Sequence, residues 1–134
     1  MGYKDGVSKE GYIETLSGIS ATLAGGATTT SDEQELPLLS QNTVALECVA
    51  TFDANADGSI ELTLLSYSTS GSPSTEALQE HIGYLPLSAG NTVRKVFHFT
   101  ILDRYYEVQL KNLDSSGGRS ATGVSVSVLE FPER

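Results

Sequence analysis

The residues with the clearest metal-ligand spacing are Asp53, Asn55 and Asp57, which are followed by Gly58. Side-chain oxygens at alternate positions, with glycine at the sixth position, match the first half of an EF-hand calcium loop. The twelfth position should supply a bidentate glutamate, but it is Leu64. Asparagine, aspartate and glycine also dominate ordinary turns. We therefore expect a plain turn and assign no metal ligand and no cofactor, with calcium as the alternative.

Residues for acid–base or nucleophilic catalysis are few. His81 lies in a loop-like stretch, where we expect a solvated ring, and His98 lies in a predicted strand, where we expect a side chain that points away from the core. The single cysteine, Cys48, occupies an apolar strand position, so a buried and unreactive thiol is expected. The chain has no G-x-S-x-G elbow. We predict no catalytic residues and no enzyme activity. The alternative is a small hydrolase whose Ser, His and Asp meet only in space.

Aromatic rings that stack on sugars are the remaining chemical candidates. The chain has no tryptophan, so Tyr67, Tyr84, Tyr105 and Tyr106 would have to supply them. Tyr105 falls on the polar side of its predicted strand, and Tyr84 falls in the loop-like stretch. We expect most of these rings to pack in the core or at an interface. Glycan binding through Tyr84 or Tyr105 is the alternative.

The charge balance argues against two classes of partner. Among 134 residues, 17 acidic and 8 basic side chains give a formal net charge of −9. Such a surface repels nucleic-acid phosphates and anionic lipids, so we expect neither nucleic acid nor membrane as a partner. The first residues contain no apolar stretch of the kind found in a secretory signal.

Apolar residues alternate with polar ones over most of the chain after residue 43, which is the spacing of half-buried strands. Turn-forming residues separate these strands. We predict an all-β fold, an antiparallel β-sandwich of jelly-roll or Ig-like type with seven or eight strands. The strands at 44–52 and 60–64 are expected to form a hairpin through the loop at 53–58. The alternating segments are 44–52, 60–64, 93–101, 106–110 and 124–128.

Two segments fall outside this pattern. Residues 1–20 are punctuated by glycines and show no sustained period, so we predict an extended N-terminal arm followed by a sandwich domain at 21–134. Residues 69–91 are rich in Ser, Gly, Pro and Asn, and we expect a long loop with a helical turn near 74–81. Long loops in small domains are commonly functional. The arm and this loop are therefore the predicted contact surfaces.

Three segments of the C-terminal half share one scheme of strand chemistry, which the upstream segment Val44 to Tyr67 also fits. The three segments are Thr92-Val-Arg-Lys-Val-Phe-His-Phe, Leu102-Asp-Arg-Tyr-Tyr-Glu-Val-Gln-Leu-Lys-Asn-Leu-Asp and Thr122-Gly-Val-Ser-Val-Ser-Val. Over residues 43–130, this chemistry resembles that of small β-sandwich virion proteins of tailed phages and prophages. The resemblance implies capsid decoration, a head fibre or a tail-associated part, and it carries over no functional residue. It does not cover the arm at 1–20 or the loop at 69–91.

These observations together predict a non-catalytic virion structural protein, of the capsid decoration or cement type. Its expected partners are the major capsid protein or other virion subunits, with homo-oligomer formation. Its expected location is the virion, after assembly in the host cytoplasm. The alternative is a carbohydrate-binding or receptor-binding β-sandwich module of a phage tail or of a secreted protein.

Overall fold

The computed structural model describes residues 12–36, 42–71, 79–101 and 103–130. These ranges contain nine β-strands, and no helix in them is long and apolar enough to cross a membrane. The strands are β1 (Tyr12–Thr15), β2 (Thr28–Thr30), β3 (Gln34–Glu35), β4 (Asn42–Thr51), β5 (Ile60–Tyr67), β6 (Gln79–Leu85), β7 (Thr92–Ile101), β8 (Tyr105–Asn112) and β9 (Thr122–Glu130).

The strands form two antiparallel sheets. The first sheet has the order β1-β9-β4-β7, and the second has the order β2-β8-β5-β6, with β3 also paired to β8. Each sheet interleaves strands from the beginning and the end of the chain, which is the jelly-roll arrangement. The predicted all-β sandwich is confirmed. Nine described strands replace the predicted seven or eight, because β1 and β6 lie in segments that were predicted to be arm and loop.

The core lies between the two sheets and consists of the inward side chains of the long strands. Cys48 is fully buried there, and burial raises the pKa of its thiol to about 12, so the prediction of a buried thiol is confirmed. Each fully buried branched aliphatic side chain stabilises the fold by about 1.5–3 kcal/mol. The fully buried members of this core include Leu46, Cys48, Ile60, Leu62, Leu64, Leu85, Val108, Leu110 and Val126.

The predicted hairpin between residues 44–52 and 60–64 is wrong. Strand β4 pairs with β7 and β9 in the first sheet, whereas β5 pairs with β6 and β8 in the second. The loop between them therefore crosses the sandwich. Stacked sheets lie only about 10 Å apart, so a loop of this length can equally fold back or cross. The alternating pattern specifies the buried face of each strand but not its partner.

Part of the predicted long loop is an edge strand. Residues 79–85 form β6, which pairs with β5 from Ile60↔Leu85 to Ser66↔Gln79. Gly83 faces inward, and the ring of Phe97 fills the space that a side chain would occupy, because a Cβ on Gly83 would lie 2.5 Å from Phe97 Cε2. The predicted helical turn is wrong for residues 79–81, and its remaining positions lie outside the described residues.

Residues 12–20, predicted as part of the arm, are built into the sandwich. Strand β1 pairs with β9, and the backbone N–H of Leu16 donates to Val126 O over 2.9 Å. Leu16 is buried in the core. Gly18 then turns the chain with a φ of 92°, a conformation that glycine adopts at little cost. Residues 1–11 lie outside the described residues, so for them the arm stays a prediction.

Candidate functional site

The outer side of the second sheet carries aromatic, aliphatic and hydrogen-bonding side chains. Side chains alternate across a strand, so the residues between the buried ones in β5, β6 and β8 share the outer side. We call this set the tyrosine face. Its members are Ile82 and Tyr84 of β6, Glu61, Thr63, Leu65 and Tyr67 of β5, and Tyr105, Glu107, Gln109 and Lys111 of β8.

The register aligns these side chains in cross-strand rows. Tyr84 lies opposite Glu61, which lies opposite Lys111 on β8. In the next row along the strands, Ile82 lies opposite Thr63, and Thr63 lies opposite Gln109. Directly opposed side chains have Cβ atoms about 4.5–5.5 Å apart, so each row is a continuous strip of surface.

Tyr84 and Ile82 form the apolar part of the tyrosine face. They are 47% and 51% exposed, the two largest values among the exposed large hydrophobic residues of the described chain. The hydroxyl of Tyr84 donates a hydrogen bond to Glu61 Oε2 over 3.2 Å, and this bond raises the pKa of the tyrosine. The Lys95 ammonium donates to the carbonyl oxygen of Tyr84 over 3.3 Å. The phenol is therefore held in place while half of the side chain stays in contact with water.

The opposite end of the tyrosine face is closed. Tyr67 is fully buried although it occupies an outward position, and its ring stacks on Tyr105 with centroids 6.1 Å apart. Its hydroxyl lies 2.9 Å from Glu33 Oε1 and 3.2 Å from Glu107 Oε2. Burial, together with these two carboxylates, raises the pKa of Tyr67.

Glu33 links this closed end to the chain that follows β5. Its carboxylate accepts hydrogen bonds from the hydroxyl of Ser70 and from the backbone N–H of Gly71. These two bonds lower the pKa of Glu33. We call this set of residues the tyrosine wall: Glu33, Tyr67, Ser70, Gly71 and Tyr105.

Carboxylates outnumber basic groups on and beside the tyrosine face. Glu61 and Glu107 lie on it, and Glu33 stands in the wall. Lys111 is exposed at the Tyr84 end, and Arg104 is paired with Glu35 at 2.6 Å. Carboxylates accept hydrogen bonds and repel anions. The face therefore suits a ligand that brings hydroxyl or amine donors and no negative charge.

The Asp53-Asn55-Asp57 segment lies in the loop between β4 and β5, away from the tyrosine wall. The Asp53 carboxylate accepts a hydrogen bond from the N–H of Asn55 over 2.9 Å, which closes a local turn. The Asp57 carboxylate accepts bonds from the N–H and the hydroxyl of Ser115, and it pairs with Arg119 at 3.1 Å. These bonds lower the pKa of Asp57. In the described ranges, no group of three or more His, Cys, Asp or Glu side chains is arranged to hold a metal ion.

Asp57 instead takes part in fixing the loops at this end of the sandwich. Asp114 is buried, and its carboxylate accepts bonds from the N–H of Asp57 and the N–H of Ser116, each over 2.9 Å. The side-chain amide of Asn112 donates to the carbonyl oxygens of Leu23 and Arg119. Three loops are thus joined by buried polar groups, which stabilises the end of the sheet next to Tyr84.

The two histidines lie in different sheets. His98 is exposed on the outer side of the first sheet, as predicted. His81 is in β6 and only partly exposed, and its ring lies 5.6 Å from Phe99, so the prediction of a solvated loop residue is wrong. Its Nε2 atom is buried and has no hydrogen-bond partner among the described residues. The structure therefore does not bring the two histidines together.

The sequence indicated some of this site and missed the rest. Tyr84 and Tyr105 were candidates, and the structure places both on the tyrosine face, about 20 Å apart along the strands. Ile82 was missed because residues 69–91 were predicted to be loop. The alternation of Ile82 and Tyr84 with Gly83 and Leu85 was the available signal. No sequence signal indicates that Glu33 reaches Tyr67.

Comparisons with known proteins give fold neighbours only. No model of a known protein family matches the chain, and no curated protein matches its sequence. A structure named CBM35 from Cellvibrio japonicus Abf62 is similar over 94% of this chain and 91% of its own length, with 13% identity and a TM-score of 0.51. A structure named Family 16 Carbohydrate Binding Module-2 is similar over 84% and 74%, with 13% identity and a TM-score of 0.43. The likeness to the CBM35 structure agrees with the β-sandwich fold.

Proposed function

We propose that the protein is a non-catalytic glycan-binding module and that it binds an uncharged sugar chain on the open part of the tyrosine face. The observation that carries this proposal is the half-exposed Tyr84 side chain beside the exposed Ile82, on a sheet face that is otherwise lined by hydrogen-bonding groups. An exposed ring can stack on the apolar face of a sugar.

The geometry around Tyr84 favours binding at low entropic cost. Its hydroxyl is already bonded to Glu61, and the backbone beside it is held by Lys95. A ring that is fixed before binding loses little rotamer freedom when the ligand arrives. Glu61, Thr63 and Gln109 lie in the same two rows and offer acceptors and donors to sugar hydroxyls. Stacking and hydrogen bonding are thus available within one small area.

The charge of the face selects among glycans. Glu61 and Glu107 lie on it, and the chain carries a formal net charge of −9. Uronic-acid and sulfated polysaccharides bring further negative charge, so we expect them to be repelled. Neutral glycans avoid this cost.

The predicted virion role remains an expectation from the sequence. Residues 1–11 of the predicted arm lie outside the described residues. The capsid partner, the homo-oligomer and the virion location therefore also remain predictions. The described residues give more support to the glycan-binding alternative, because Tyr84, one of its two named tyrosines, is half exposed on the outer side of the second sheet, the side that also carries Tyr105. The name of the neighbour with a TM-score of 0.51 is in keeping with that function.

The test is affinity electrophoresis against neutral and acidic soluble polysaccharides, followed by calorimetry with each one that binds. The panel comprises hydroxyethylcellulose, galactomannan, soluble starch and alginate. We expect binding to at least one neutral polymer and none to alginate. Tyr84→Ala should weaken that binding about tenfold or more, since loss of a stacking ring costs about 0.5–1.5 kcal/mol beyond its area.

Val96→Ala is the matched control for this experiment. Val96 is 39% exposed on the outer side of the first sheet, so the substitution shortens a comparable apolar side chain in a strand without touching the tyrosine face. We expect it to bind as the unchanged protein does. Binding to no neutral glycan, or equal weakening by both substitutions, would contradict the proposed function.

A further inference from the structure

The tyrosine face is open along only part of its length. Leu65 and Tyr67 occupy outward positions of β5, yet they are 7% and 0% exposed. Thr63 and Glu61, two and four positions before Leu65, are only partly buried. This decrease in side-chain exposure along β5 shows that the outer side of its C-terminal end is covered.

The tyrosine wall lies at this end. The hydroxyl of Tyr67 lies within hydrogen-bond distance of the Glu33 carboxylate, which also accepts hydrogen bonds from Ser70 and Gly71. Tyr105 stands beside it with an interplanar angle of 22° between the rings. The Arg104 guanidinium lies 5.8 Å from the centroid of Tyr105, which adds a further layer.

The opposite end of the face has no such barrier among the described residues. Tyr84 and Lys111 are exposed in the last row, and Leu113, just after β8, is 39% exposed. The row that contains Glu61 is four residues from the position of Leu65, a distance of about 13 Å along β5. We call the part of the face from the row of Glu61 to the position of Leu65 the open floor; among the described residues it is a short surface with a barrier at one end.

We propose that the tyrosine face binds the terminal part of a neutral oligosaccharide, with the chain end against the tyrosine wall and the rest leaving past Tyr84. This inference rests on the proposed function and specifies its mode of binding. Glu107 is the acceptor nearest the wall on the open floor, and it is partly exposed. Its carboxylate accepts from a terminal hydroxyl, while Tyr84 stacks on a sugar nearer the exit.

A binding mode of this kind has a measurable consequence. A surface that is open at both ends accepts the middle of a polymer, so several protein molecules bind one long chain. A surface that is closed at one end accepts only a chain end, so the number of molecules bound per chain does not grow with chain length. Affinity should also stop increasing once the oligosaccharide covers the open floor, at about three sugar rings.

The experiment is calorimetry with cello-, manno- and malto-oligosaccharides from disaccharide to hexasaccharide, and with unbranched parent polymers, namely hydroxyethylcellulose, glucomannan and amylose. For the series that binds, we expect affinity to level off at the trisaccharide and the parent polymer to bind about one protein molecule per chain. A stoichiometry that rises in proportion to polymer length would overturn the inference and leave the proposed function standing. Binding to no member of any series would remove both.

Glu33→Ala tests the wall directly. It removes the carboxylate that Tyr67, Ser70 and Gly71 share, so the wall should open and more protein should bind to each polymer chain. Glu47→Ala removes a partly exposed glutamate from the first sheet and should keep about one molecule per chain. Circular dichroism checks that both variants are folded. If a folded Glu33→Ala protein keeps the original stoichiometry, the wall does not set the mode of binding. If that variant does not fold, the number of unchanged protein molecules bound per polymer chain decides whether the protein binds chain ends.

Discussion

The two outer faces of the sandwich use the same alternation of side chains and differ in what they leave in water. On the first sheet, two pairs of outward polar groups are matched across strands. Arg94 pairs with Glu47 at 3.2 Å, and the hydroxyls of Thr51 and Thr92 lie 2.7 Å apart. On the second sheet, the tyrosine face leaves Tyr84 and Ile82 half exposed and buries Tyr67 completely. The second face therefore has an open part and a closed part.

This difference indicates which of the two outer faces is suited to bind a ligand. Matched polar pairs satisfy one another and leave few groups for a ligand. An exposed ring and a branched aliphatic side chain, set among carboxylates and amides, leave apolar area and hydrogen-bonding capacity together. A surface of the second kind is the one expected to bind a small polar ligand.

The strongest test of the closed end is Tyr67→Ala. The ring is fully buried and stacked on Tyr105, so its removal should leave a cavity and cost about 3–5 kcal/mol in the free energy of unfolding. Urea denaturation would measure this change, with Val96→Ala of the first sheet expected to lose less than about 1 kcal/mol. A loss for Tyr67→Ala as small as that for Val96→Ala would mean that the closed end is not packed as a core.

A smaller loss in the free energy of unfolding is expected for Gly83→Ala, which tests how β6 is positioned. The added Cβ would meet the ring of Phe97, so one of the two must shift. Overpacking of this kind costs about 1–3 kcal/mol. Thermal unfolding would show the loss, and glycan affinity should fall as well, because Ile82 and Tyr84 flank the substituted residue. An unchanged melting temperature would show that Phe97 is free to move aside.

Alkaline pH should distinguish the buried tyrosine from the exposed one. Because the pKa of Tyr67 is raised in the folded state, the protonated phenol stabilises the fold at neutral pH. This contribution declines once pH exceeds about 10, the value in an unfolded chain, by up to about 1.4 kcal/mol per pH unit. Tyr67→Phe should therefore show a shallower loss of stability from pH 10 upward in denaturation measurements. Tyr84→Phe removes a hydroxyl in contact with solvent and should retain the steeper loss.

The period-two pattern was sufficient for the fold class and for most of the core. Alternation at 44–52, 60–64, 106–110 and 124–128 identified the buried faces, because burial of one strand face is a local property. The same pattern does not predict which strands pair with one another. The loop at 53–58 either folds back or crosses between sheets with little difference in local chemistry, and the structure shows that it crosses.

For a related reason, only part of the candidate site could be predicted from the sequence. Tyr84 and Tyr105 are recognisable as aromatic residues, but their shared face depends on β6 pairing with β5 and β5 pairing with β8. The wall depends on Glu33 reaching Tyr67 across 34 positions of the chain. Contacts of this range are set by topology, and a single sequence shows no sign of them.

The smallest expected effect concerns the matched pair on the first sheet. Arg94 and Glu47 are 3.2 Å apart, and the arginine side chain is 62% exposed, so water screens their attraction. We expect a double-mutant cycle with Arg94→Gln and Glu47→Gln to give a coupling of about 0.2–1 kcal/mol, reduced further by salt. Neither substitution should change glycan affinity, because both residues lie on the sheet opposite the tyrosine face. A coupling well above 1 kcal/mol, or a loss of glycan binding, would mean that the first face takes part in stability or recognition as the second does.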